Sequence, residues 1–141
     1  MNVKLKKKWR VVLMTLGSCL GLMAAVRVQA AVPDISGLQG ALTSTQAQSL
    51  KSQTDFVINR VQYGSNYEDI HHVNNESLYV KYGVPFGSYD FATFTDTASA
   101  VTEAKTFYER ANKNTKFYVL DFETTSMSST AANAAVKAWY T

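Results

Sequence analysis

Phe117-Tyr118-Val119-Leu120-Asp121-Phe122-Glu123 is the stretch on which the fold turns. Its aromatic, β-branched and aliphatic residues make a buried strand, and a Thr/Ser-rich turn follows. Side chains alternate across a strand, so Val119, Asp121 and Glu123 share one face while Tyr118, Leu120 and Phe122 share the other. Two acids therefore stand side by side, about 6–7 Å apart at the strand repeat. Because an unpaired buried charge is costly, such a pair reads in one of two ways. It is either a solvated strand end, or an acid/base pair or metal site at the mouth of an α/β fold.

Working outward, strand and helix patterns alternate along the chain. Val32–Ser36 is a short strand, Thr43–Lys51 a polar helix, Asp55–Val61 a second strand closed by Gln62-Tyr63-Gly64, and Asp69–Tyr82 a helix ended by Gly83. Val84–Phe91 is a third strand, with its proline near the start where a lost donor does least harm. Ala98–Ala111 is the clearest helix, with Ala100, Val101, Ala104, Phe107, Tyr108 and Ala111 on one stripe and Asp96 or Thr97 as cap. Residues 117–123 form the fourth strand, and Ser128–Tyr140 a last helix with Ala132, Ala135, Val136 and Trp139 inward. This order implies an α/β fold with parallel strands and crossover helices. Sites in such folds lie at the carboxyl ends of the strands. Asp34, Arg60 with Gln62, Asp90, and Asp121 with Glu123 gather there, which favours an assembled site over a fraying end.

The first thirty residues read differently. Lys4, Lys6, Lys7, Lys8 and Arg10 precede an apolar run from Val11 to Val26, and Val28-Gln29-Ala30 has the small residues a signal peptidase reads. Residues 1–30 are thus expected to be a signal peptide, residues 31–141 the mature domain, and the product secreted, with no membrane association after cleavage. Eight basic against eleven acidic residues remain after Ala30, a formal charge of −3 that gives no support for nucleic-acid binding. The single cysteine, Cys19, lies in the leader, so neither disulfides nor a thiol nucleophile is expected.

Other chemistries lack their residues. His71 and His72 are adjacent rather than i, i+4, and are expected at the surface. No phosphate loop or G-x-S-x-G elbow occurs. Carboxylate chemistry remains: one acid protonates a leaving oxygen while a second stabilises positive charge, activates water or attacks, as glycoside hydrolysis requires. The same acids suit a hard cation such as Mg²⁺, and the residues alone leave that open.

Four motifs in order carry a resemblance: Asp34-Ile35-Ser36 with Gln39-Gly40; Phe56-Val57-Ile58-Asn59-Arg60 with Tyr63-Gly64; Gly83-Val84-Pro85-Phe86-Gly87-Ser88-Tyr89-Asp90-Phe91; and Leu120-Asp121-Phe122-Glu123. Together they resemble the family 25 glycoside hydrolases, lysozymes of bacteria and phages that cut the β-1,4 bond between N-acetylmuramic acid and N-acetylglucosamine. The resemblance implies the amino-terminal half of a TIM-like (β/α) barrel. It implies that Glu123 is the general acid, that Asp121 stabilises or orients the reacting centre, and that Asp34 completes the cluster. It places Arg60, Gln62, Tyr63, Tyr89 and Asp90 along the saccharide groove. It implies peptidoglycan as partner and neither metal nor cofactor.

Two features depart from the family pattern. Asp90 stands where a Tyr-His-Phe-like sequence usually has its imidazole, and roughly four further barrel strands, one bearing another acid, are missing. The expectation is a partial or prematurely terminated gene product whose open sheet edges favour self-association. A non-catalytic wall-binding remnant and a metal-dependent hydrolase are the alternative functions.

Overall fold

The computed structural model describes residues 32–123 and 126–141, so the predicted leader lies outside the described residues. In chain order the elements are β1 (Asp34–Ile35), α1 (Ser44–Gln53), β2 (Val57–Tyr63), β3 (Tyr67–Glu68), α2 (His72–Tyr82), β4 (Phe86–Phe91), α3 (Thr97–Arg110), β5 (Tyr118–Asp121) and α4 (Ser129–Trp139). Strands β1, β2, β4 and β5 pair in that order, all parallel. The predicted α/β architecture with helical crossovers is therefore present. One strand escaped prediction: β3 pairs antiparallel with the end of β2, Tyr63 opposite Tyr67.

Local chemistry explains most boundaries. Thr43 and Gln46 cap α1 reciprocally, and Asp96 and Ser99 do the same for α3, so each helix starts where a side chain replaces missing intrahelical acceptors. Gly83 ends α2 in the left-handed region at φ 66°, which costs glycine little. Helix α2 begins at His72 rather than the predicted Asp69, because Asp69 closes the β3 turn, its amide donating to the Val61 carbonyl at 2.8 Å.

The core lies between the sheet and the helices. Val61, Phe94, Ala100, Phe107, Ala135 and Trp139 form one buried cluster, and Val57, Tyr79, Val84 and Phe86 a second. The α3 stripe is narrower than predicted: Ala100 and Phe107 are buried, while Val101 and Tyr108 face solvent. Tyr108 instead takes the Lys113 ammonium 3.9 Å from its ring centre. Strand β4 leaves no room for a side chain at Gly87, where a Cβ would overlap the Phe117 ring.

A bulge in β2 sets which residues reach the site. Arg60 pairs with Tyr89 and Gln62 with Asp90, so β2 advances two residues while β4 advances one. Ordinary alternation would put Arg60 and Gln62 on one face, but the extra residue, Val61, sends Gln62 to the other.

Candidate active site

At the carboxyl ends of β1, β2, β4 and β5 the structure brings together Asp34, Arg60, Tyr89, Asp121 and Glu123. Tyr89 is buried, and its phenol is pushed well above the ordinary range by burial, by the negative charge of Asp34 and by hydrogen bonding to it. The hydroxyl therefore stays protonated and serves as a donor to Asp34. The half-buried Asp121 carboxyl is raised too, first by burial, then by the charges of Glu123 and Asp34 and by hydrogen bonding with Glu123. Glu123 is exposed, one alternation beyond the end of β5.

Arg60 is the cation of this group and is held from behind. Its Nε donates to Asp69 Oδ2 at 3.0 Å, and its guanidinium carbon lies 5.9 Å from the centre of the Tyr67 ring. Asp69 is 1% exposed and accepts three hydrogen bonds, the others from the Gly37 amide to Oδ2 at 2.6 Å and the His71 amide to Oδ1 at 3.0 Å. This residue thus clasps the turn after β1, the end of β2 and the start of α2. Sequence reading placed Asp69 inside a helix and missed it; the only signal was an acid just ahead of a helix start.

Tyr63 is exposed and stacks on Phe91, ring centres 4.6 Å apart and planes 7° from parallel. Phe91 is the register partner of Asp121, so the stacked pair flanks the acids. A cavity of about 400 Å³ opens over it, lined also by Thr93, Phe94, Thr95 and Ser126.

Two predicted groove residues are elsewhere. Gln62 is fully buried, its Nε2 donating to the Glu103 carbonyl at 3.1 Å and its Oε1 accepting from Arg110 at 2.9 Å. Asp90 is equally buried and accepts from Trp139 Nε1 at 3.0 Å. Burial first, and then the Glu103 charge, push its carboxyl up to about 7. Both residues face the helices, Gln62 because of the bulge and Asp90 because it alternates with Tyr89.

The histidine expectation is also corrected. His72 is buried, with Nδ1 3.1 Å from Glu76 Oε2 and Nε2 2.8 Å from Glu68 Oε1. Burial alone would lower its pKa, but the hydrogen bonds and charges of the two glutamates leave it raised. Glu68 also pairs with Arg110 Nε at 3.3 Å, and Glu76 accepts from Ser88 Oγ at 3.1 Å. The network ties β3, α2, β4 and α3 together behind the rim. Among the described residues no three His, Cys, Asp or Glu side chains form a group that could hold a metal ion.

Known proteins share this fold. The chain is similar in structure to the CTP1L endolysin, with 26% identity and a TM-score of 0.63 over 76% of this chain and 40% of that one. It is similar to a muramidase from Trichobolus zukalii, with 27% identity and a TM-score of 0.61 over 77% of this chain and 57% of that one. The modular autolysin LytC from Streptococcus pneumoniae shares the fold at 19% identity, with a TM-score of 0.66 over 77% of this chain and 28% of that one. The chain thus spans roughly half or less of the length of these proteins. No curated protein sequence matches it. The sequence profile of the glycosyl hydrolases family 25 matches residues 33–141, nearly everything after the predicted leader, and the chain belongs to that family.

Proposed function

We propose that the chain is a lysozyme-type glycoside hydrolase that cuts the β-1,4 bond between N-acetylmuramic acid and N-acetylglucosamine in peptidoglycan. The observation that supports this reading best is the convergence of Asp34 and Asp121 on the Tyr89 phenol, with Glu123 beside Asp121, at one end of a parallel sheet. Family membership and the likeness to an endolysin and a muramidase point the same way. The basic and apolar first thirty residues, read as an export leader, would deliver residues 31–141 to the wall.

In this reading Glu123, exposed to solvent beyond the end of β5, gives its proton to the glycosidic oxygen as the bond to the anomeric carbon breaks. The positive charge that develops on the sugar is stabilised by the neighbouring carboxylates. Water then adds to the anomeric carbon, and its proton restores Glu123. Tyr89 holds Asp34 by a hydrogen bond, Arg60 places its positive charge near the Tyr89 phenol, and the Tyr63–Phe91 pair offers apolar faces to the sugar rings. A second assignment has an observation of its own: the Asp121 carboxyl is raised by burial and by the charges of Glu123 and Asp34, so it is the alternative donor.

The test is release of reducing ends from purified bacterial cell walls, with Glu123→Gln and Asp121→Asn alongside and EDTA in a parallel arm. Activity that persists in EDTA and falls about a hundredfold or more in Glu123→Gln is expected, a loss typical of a removed general acid. If instead Asp121→Asn removes the basic limb of the pH profile and Glu123→Gln keeps it, Asp121 is the donor. Loss of activity in EDTA would overturn the reading in favour of a metal-dependent hydrolase. A folded but inactive chain that still sediments with cell walls would make it a binding remnant.

A further inference from the structure

Next to the cavity over Tyr63 and Phe91 lies a second one of about 270 Å³. The two share the wall Thr93-Phe94-Thr95, the segment joining β4 to α3. Their linings differ in kind. The first offers stacked aromatic rings, whereas the second is lined by Ser65, Asn66, Thr93, Thr95, Ser99 and Thr102, all uncharged hydroxyl or amide side chains.

The shared wall is fixed in place. Glu103 is 2% exposed and accepts from the Thr93 amide at 3.0 Å and from Thr93 Oγ1 at 2.9 Å. The Thr95 amide donates to Ser99 Oγ at 3.1 Å. Across the cleft, Gly64 at φ 64° lies so close that a Cβ there would overlap Thr93 Oγ1. A wall held from three sides presents its polar groups without an ordering cost on binding.

We propose that the hydroxyl-lined cavity is a sugar site that takes a neutral, acetamido-bearing pyranose ring farther along the same glycan strand, past the Tyr63–Phe91 pair. The inference rests on the peptidoglycan-hydrolase reading and adds the direction in which the strand runs: from Asp121 across Phe91 to the β4–α3 connection. The lining decides the ligand class. It contains no lysine or arginine, and its one acid, Glu103, is already engaged by Thr93. An anionic stem peptide would find no cation there, whereas sugar hydroxyls and an acetamido group find donors and acceptors at every side. The volume suits a single ring, and the aromatic pair beside it bridges to the acids.

The experiment measures binding of β-1,4-linked N-acetylglucosamine di-, tetra- and hexasaccharides by calorimetry to the full chain carrying Glu123→Gln, which prevents turnover. The same titrations are run with Ser65→Ala and Asn66→Ala combined, and separately with Thr102→Arg, which fills the cavity from an exposed position on α3. The expected result is an affinity gain of about tenfold from the short to the long oligosaccharide. Both variants should abolish that gain and leave disaccharide affinity unchanged. A gain that survives in either variant, or that never develops, overturns the sugar site while leaving the hydrolase reading intact. Absence of binding at every length overturns both.

Discussion

Asp90 shows at the scale of a single residue how position outweighs residue type. Its carboxyl reads as part of a catalytic rim, yet it is buried between Trp139 and Glu103 on the helical side and pushed up to about 7. A carboxyl whose folded pKa exceeds its unfolded value binds its proton more tightly in the native state. Its contribution is therefore fully present in acid, and stability falls as pH rises from about 4 to about 7. The groups facing it are Glu103, Gln62 and Trp139, and none of them supplies a compensating positive charge. Asp90→Asn keeps an acceptor for Trp139 and removes the ionisation. The variant is expected to gain about 2 kcal/mol over the parent at pH 8 and nothing at pH 4, read from urea unfolding at the two values. A parallel pH dependence in both proteins would refute the assignment. His72, also raised, should leave a smaller decline at higher pH in the variant. The period-two rule already separates Asp90 from Tyr89; reading both as groove residues let chemistry override alternation. The error at Gln62 is different, because a bulge at Val61 leaves no mark in composition.

Among the elements, the helices and the parallel strands were legible and the short antiparallel β3 was not. Stripes of alanine and aromatics, Asp96 ahead of α3 and Gly83 after α2 placed the helices to within a few residues, since capping is local chemistry. Strand β3 has only two residues, defined by a tertiary pairing with β2. The burial of His72 between glutamates at i−4 and i+4 had a signal in hindsight, the Glu68-x₃-His72-x₃-Glu76 spacing. The clasp at Asp69 joins three elements, and its removal is the element-scale test. Asp69→Ala strands the Gly37 and His71 amides and the Arg60 guanidinium without their acceptor. A loss of about 3 kcal/mol is expected in the urea midpoint, from orphaned donors and a broken buried ion pair. Wall hydrolysis should fall with it, because Arg60 loses its anchor. A change below 1 kcal/mol would mean that water replaces the carboxylate without cost.

For the molecule as a whole, the sheet is open. Among the described residues β1 pairs only with β2 and β5 only with β4, so each outer strand leaves one row of backbone donors and acceptors unmatched. Such edges seek partners. Sedimentation velocity over a range of concentrations is expected to show reversible association that a lysine placed at Val119 weakens; a strictly monomeric boundary throughout would show that the edges are protected.

The Asp69 clasp also orders events in time. Its carboxylate reaches the Gly37 amide across 32 residues, so β1 and Asp34 cannot be locked until β2, β3 and the start of α2 have come together. Contacts that distant close late on a folding trajectory, after the loop entropy between them has been spent. The three acids therefore meet only where all four parallel strands have paired, which ties the candidate site to the completion of the whole sheet.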